Sequence, residues 1–128
     1  MSSNYEIKVE TILKNYKILY KKEVIMPNLY GVKNTPLRFD FGIYEYNKLK
    51  CLIEVDGEYH FKPIRGKIAF MRQKSFDGKK DAYCLSHKIK LIRIPYWEIN
   101  NLTFQKIFNT QNFVVTRKFH NQFLCPPN

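Results

Sequence analysis

Acidic residues are scarce in this chain: 11 Asp and Glu stand against 22 Lys and Arg, for a formal charge of +11. That deficit exceeds what solubility requires and points to a polyanionic partner, with nucleic acid the best fit. Cysteine is sparse too. Cys51, Cys84 and Cys125 are widely spaced and odd in number, which disfavours a disulfide framework, and no paired Cys/His spacing of the zinc type occurs. Cys51 and Cys84 sit in apolar surroundings and read as small core residues in a reducing compartment, so a cytoplasmic protein is expected. No sustained apolar run is long enough to span a bilayer, and no charged start followed by an apolar stretch suggests a signal peptide. We therefore expect no membrane partner. Internal repeats, low-complexity tracts and linkers are also lacking.

What is present supports a packed interior. Hydrophobic residues make up 45% of the 128 positions and aromatics 16%, enough for one domain over residues 1–128, with its core between about 5 and 110. Apolar spacing predicts a helix from Tyr5 to about Tyr16, capped by Ser3 or Asn4, and a strand from Lys17 to Ile25 broken by Pro27-Asn28. A loop follows to Pro36. Leu37 to Tyr44 and Lys50 to Asp56 then read as a hairpin turning at Glu45 to Lys48. Beyond a loop marked by Pro63 and Gly66 come a long helix from about Lys67 to His87, a short strand over Lys90 to Ile94, and a helix over Leu102 to Phe108. The pattern is α/β.

Acids inside the two hairpin strands carry the functional signal. Asp40 lies between Phe39 and Phe41, and Glu54 between Ile53 and Val55, where an unpaired solvated carboxylate is a poor choice. Alternation puts Glu54 and Asp56 on one face of their strand. If Asp40 joins them, three like charges crowd together and call for a hard divalent cation, Mg²⁺ or Mn²⁺. Such an ion polarises a phosphoryl oxygen and activates water, so the chemistry expected is phosphodiester hydrolysis. The competing explanation, acids on an edge strand paired with lysines, suits either Glu54 or Asp56 alone better than the trio. His60, just past the strand, is a candidate proton donor or acceptor. Arg65, Lys67, Arg72, Lys74, Lys79 and Lys80, interleaved with Phe70 and Phe76, read as a helix with one face toward phosphates, although for most of these lysines taken singly a solvated helix face is the preferred reading. Lys80 is placed to reach a scissile phosphate.

Four blocks in order carry a resemblance: Pro36-Leu-Arg-Phe-Asp40-Phe; Leu52-Ile-Glu54-Val-Asp56-Gly-Glu-Tyr-His60-Phe; Asp77-Gly-Lys-Lys80-Asp-Ala-Tyr83-Cys84; and Ile89-Lys-Leu-Ile-Arg93-Ile-Pro95-Tyr96. Together they resemble the PD-(D/E)xK nucleases, in particular the branch that includes the very-short-patch repair endonuclease and phage- and intron-borne homing endonucleases. The resemblance covers about residues 5 to 97. It implies a restriction-endonuclease-like central mixed sheet flanked by helices, with a metal-dependent site at its edge. Asp40 and Glu54 match the two acids, the Val55 carbonyl falls where a backbone ligand is common, and Glu6 matches a helix-borne Glu, with Glu10 a less well aligned substitute. Two residues after the second acid, where the pattern has Lys, this chain has Asp56. His60 and Lys80 are the candidate replacements, with Lys80 preferred.

The expected function is thus metal-dependent DNA cleavage, of homing type or nicking and structure-specific. The metal ligands would be Asp40, Glu54, Val55 and Asp56, and the catalytic groups Asp40, Glu54, Asp56, His60, Lys80 and Glu6. With little appended to the catalytic core, sequence readout must come from its own loops, a homodimer or a larger assembly. One rival is a DNA-binding protein, or a subunit of a larger complex, that keeps the fold without activity. Another is an RNA nuclease or RNA-binding domain, although the aromatic box of the common RNA-binding sheet domain is missing.

Overall fold

The computed structural model describes residues 3–109. Cys125, the stretch beyond Phe113 and the Pro126-Pro127 end therefore lie outside the described residues. The elements are α1 (Asn4–Asn15), β1 (Tyr20–Tyr30), β2 (Pro36–Glu45), β3 (Lys48–Asp56), α2 (Lys67–Ser86), β4 (Lys90–Pro95) and α3 (Phe104–Phe108), with short 3₁₀ turns between several of them. The strands form one mixed sheet in the order β1-β2-β3-β4. The first three run antiparallel, and β4 lies parallel to β3, with α2 in the crossover.

Local chemistry accounts for most boundaries. The Ser3 hydroxyl accepts the Glu6 N–H at 3.1 Å and starts α1 as its N-cap. The β2–β3 hairpin turns through Tyr46 and Asn47, whose φ values of 52° and 62° place both in the left-handed region, as a tight turn between right-twisted strands requires. β1 differs from expectation, running on past Ile25 and through Pro27 to Tyr30, with the register shifting between Ile25 and Tyr30. It is an edge strand, where a residue without an N–H is tolerated.

Two cores sandwich the sheet. Val9, Ile12 and Leu13 of α1, with Ile107 of α3, pack against Phe41, Ile43, Ile53, Val55, Ile92 and Ile94. On the other face Cys84 of α2 packs with Val24, Leu37, Phe39, Leu52 and Leu91. Cys51 and Cys84 are both buried free thiols, as the sequence suggests.

Phe39 and Phe41 both have no exposure yet belong to opposite cores, so β2 rolls over at Asp40. In β1, Glu23 lies between the pairs Lys22↔Phe41 and Val24↔Phe39 and has φ 54°, so the neighbouring strand is irregular at the same level. From Cys51 to Asp56 β3 keeps its alternation. Consequently the β2–β3 pairing stops at Phe41↔Ile53, one residue short of the two acids.

A candidate carboxylate–lysine centre

Where the pairing stops, carboxylates take over the job of the backbone. The Asp40 N–H donates to Glu54 Oε1 at 2.9 Å, and the Val55 N–H donates to Asp40 Oδ2 at 2.7 Å. The second Glu54 oxygen accepts from Lys80 Nζ at 2.7 Å, and the same ammonium donates to the Arg38 carbonyl at 2.6 Å and lies 5.2 Å from the Phe39 ring centroid. Glu54 is 3% exposed and Lys80 8%, so this ion pair is dry and fixed, whereas Asp40 is half-buried.

Burial, followed by the Glu54 charge, pushes the Asp40 carboxyl up to about 9. Burial also raises Glu54, against the opposing pull of Lys80 and Arg93. Both carboxyls are thus harder to ionise than an isolated acid, and Glu54, unlike Asp40, has an ammonium bonded to it.

Beside the centre opens a cavity of about 260 Å³ lined by Tyr5, Glu6, Val55, Gly57, Tyr59 and Ile64. Glu6 is near enough to raise the Asp40 pKa. Burial and then the Asp40 charge push the Tyr59 phenol up to about 12, which leaves it an O–H donor at neutral pH. Glu10 faces elsewhere, accepting from the Tyr20 hydroxyl at 2.6 Å and from Lys22 Nζ at 3.3 Å. Glu6 is therefore the acid of α1 that sees Asp40.

Asp56 is placed differently from the sequence expectation. It shares the α2 face with Glu54, but both its oxygens accept from Arg93 Nη1 at 3.0 Å. Its carboxylate is thereby committed to a guanidinium and does not join Asp40. His60 belongs to the same second network. Its Nδ1 lies 2.9 Å from Asp77 Oδ2 and 3.5 Å from Asp56 Oδ1, and the residue is 5% exposed. Burial alone would lower the His60 pKa, but the Asp77 hydrogen bond and the Asp56 charge outweigh it and raise it. Burial pushes Asp77 up, yet the bond with His60 and the charge of Arg93 hold it below the usual carboxylate value.

The basic residues do not form one stripe. Lys67 and Lys74 share a flank of α2, while Arg72 and Lys79 lie about 140° around the helix from them at 3.6 residues per turn. The Arg65 guanidinium stacks 4.3 Å from the Tyr59 ring centroid beside the cavity. Lys74 Nζ lies 5.1 Å from the Phe70 centroid, and Lys79 Nζ donates to the Tyr30 carbonyl at 3.3 Å. Lys67 and Arg72 are exposed.

Arg93, Asp77, Asp81 and Tyr59 were not singled out as site residues by the sequence reading. For Arg93 the signal was available: a charge in the run Leu91-Ile92-Arg93-Ile94 is as anomalous as Glu54 between Ile53 and Val55.

Comparison with family models, curated proteins and solved structures finds no match. Functional assignment accordingly rests on this geometry. No helix among the described residues is long and apolar enough to cross a membrane.

Proposed function

We propose that this chain is a Mg²⁺- or Mn²⁺-dependent endodeoxyribonuclease with a restriction-endonuclease-like fold, as its resemblance to PD-(D/E)xK enzymes implies. One observation carries the reading: Asp40 and Glu54 meet where β2 and β3 part, with Lys80 Nζ 2.7 Å from Glu54. Two buried or half-buried acids at the open end of a hairpin, set against a lysine from a helix, are costly as mere structure. They are economical as a device for phosphate chemistry.

The donor set suits a magnesium-like ion. Among the described residues no group of three or more His, Cys, Asp and Glu is gathered to hold a metal ion. Mg²⁺ does not demand one, since it characteristically takes one or two carboxylates and completes its shell with water and substrate phosphate. Asp40, Glu54 and the Val55 carbonyl would hold it, and when bound it would supply Lewis-acid activation of the phosphodiester and of water. The chain's own groups have separate tasks. The Lys80 ammonium opposes the burial that raises the Glu54 pKa and would offset charge developing on a phosphoryl oxygen. Glu6 adds negative charge at the cavity mouth, and Tyr59 offers a protonated phenol there. Arg65, Lys67, Arg72, Lys74 and Lys79 supply backbone contacts whose strength falls with salt. His60 and Asp56 brace the centre in this reading.

A DNA-binding protein without cleavage is favoured by one detail: both Glu54 oxygens already have donors. Plasmid incubated with the pure protein in Mg²⁺, Mn²⁺ or EDTA separates the two. Cleavage that needs the ion and vanishes in Asp40→Ala and Glu54→Ala supports the nuclease. Retarded but uncut DNA in every condition supports the binder, and cleavage persisting in both variants would show that the activity is not this site's.

A further inference from the structure

Lys80 comes from a helix whose apolar packing on the sheet consists of Cys84 with the partly buried Phe76 and Tyr83. Of the 20 residues of α2 only Lys80, Asp81 and Cys84 are buried, so a single apolar side chain on it reaches full burial. Phe76 and Tyr83 add partly buried packing and Asp77 also meets His60, but the largest set of polar ties converges on Arg93. This residue stands on β4 in register with Glu54 and is 2% exposed. Its Nη1 donates to both Asp56 oxygens at 3.0 Å, its Nε to Asp81 Oδ1 at 2.8 Å, and its Nη2 to the Asp77 carbonyl at 3.2 Å, with Asp77 Oδ1 3.7 Å from Nη1. Asp77 and Asp81 are one turn apart on α2, and Lys80 lies between them in sequence. One planar guanidinium thus pins two successive turns of the helix to two strands, at the level from which Lys80 reaches Glu54.

We infer that Arg93, anchored by Asp56, is the positioning residue of the centre: it sets the register of α2 and so delivers Lys80 Nζ to Glu54. This rests on the proposed nuclease reading only for its catalytic consequence. Asp56 thereby acquires a role that explains its place in the chain. Its position carries the anion that holds the helix, and the helix carries the cation. Lysine at position 93 could keep the charge but not the fork, because an ammonium has no planar array to satisfy Asp56 and Asp81 in fixed directions.

The test uses Arg93→Lys and Asp81→Ala, the latter removing one tie from the helix side while leaving Arg93 in place. Circular dichroism and melting establish that each variant is folded. The first readout is independent of catalysis: reductive methylation with formaldehyde and cyanoborohydride, followed by peptide mapping, with exposed Lys48 of the hairpin as internal reference. Release of Lys80 from Glu54 predicts at least ~10-fold faster methylation at Lys80 in a folded variant, corresponding to about 1.4 kcal/mol in its protection. Unchanged protection in both variants overturns the inference. The second readout is a double-mutant cycle with Lys80→Ala on plasmid cleavage. Arg93→Lys should lower kcat/KM roughly 30-fold or more in the wild-type background and hardly at all in Lys80→Ala. Losses that multiply would mean that Arg93 acts independently of Lys80. If the protein does not cleave, the nuclease reading fails while the methylation result still decides the positioning role.

Discussion

The Asp40 N–H donates to Glu54 Oε1 at 2.9 Å, at the place where a hydrogen bond between paired strands would otherwise run. A side chain thus substitutes for backbone, and β2 and β3 separate without leaving that N–H unpaired. The separation matters because it brings a half-buried carboxyl beside a fully buried one. Each of the following expectations depends on that arrangement or on the Arg93 network next to it.

Asp40→Asn should stabilise the metal-free protein at neutral pH. With the Asp40 pKa near 9 in the fold and 3.8 as its ordinary value, the folded state holds a proton that the unfolded state has lost. Its contribution to stability is therefore complete below about pH 3.8 and disappears as pH rises through 9. Asparagine removes that pH dependence and still accepts the Val55 N–H. A melting temperature higher by roughly 4–8 °C in EDTA, for about 1 kcal/mol, is expected. An equal or lower melting temperature across pH 6 to 9 would contradict the assignment of the proton to Asp40.

Metal binding by the wild type should release a proton and strengthen as pH rises toward 9, because Asp40 must ionise to act as a ligand. Calorimetric titration with Mn²⁺ in buffers of different ionisation enthalpy measures that release directly. Asp40→Asn should weaken Mn²⁺ binding by more than ~10-fold, whereas Asp56→Asn should change it by less than about 3-fold while lowering the melting temperature. Equal losses of affinity in the two variants would restore Asp56 as a ligand.

Breaking the Glu54–Lys80 pair from one side should be costly. Lys80→Met leaves a buried carboxylate without its cation, at about 3–5 kcal/mol, and should reduce cleavage at least ~100-fold. The double variant Glu54→Gln/Lys80→Met should regain much of the stability but none of the activity. Urea unfolding of the singles and the double measures the coupling. Additive losses would mean that the two side chains do not depend on each other.

His60 should titrate above its ordinary value of 6.5, since the Asp77 bond and the Asp56 charge prevail over burial. The stability this supplies is present below pH 6.5 and lost as pH rises through the folded pKa. An NMR titration of the imidazole checks it. Asp77→Asn should bring the midpoint down, and a midpoint at or below 6.5 in the wild type would remove the charged pair from the account.

Much of this was legible in the chain because short-range rules govern it. The Ser3 cap, the hairpin turn after Glu45, the long helix beginning at Lys67 and the anomalous acids at 40 and 54 follow from local propensity, alternation and the cost of burying charge. The extension of β1 through Pro27 was not legible, because whether a strand tolerates proline depends on its being at an edge.

Sequence by itself determined that carboxylates would stand inside an apolar hairpin, since composition and periodicity carry it. Only tertiary structure decided which carboxylates meet. Alternation assigns Glu54 and Asp56 to one face, but it says nothing of the roll in β2 that turns Asp40 toward Val55, nor of a guanidinium arriving from β4 to claim Asp56. Those outcomes depend on contacts between residues far apart along the chain, such as Asp56 with Arg93 and Glu54 with Lys80. A one-dimensional pattern cannot rank such partners, because their order of preference is set by distance and direction in the folded state.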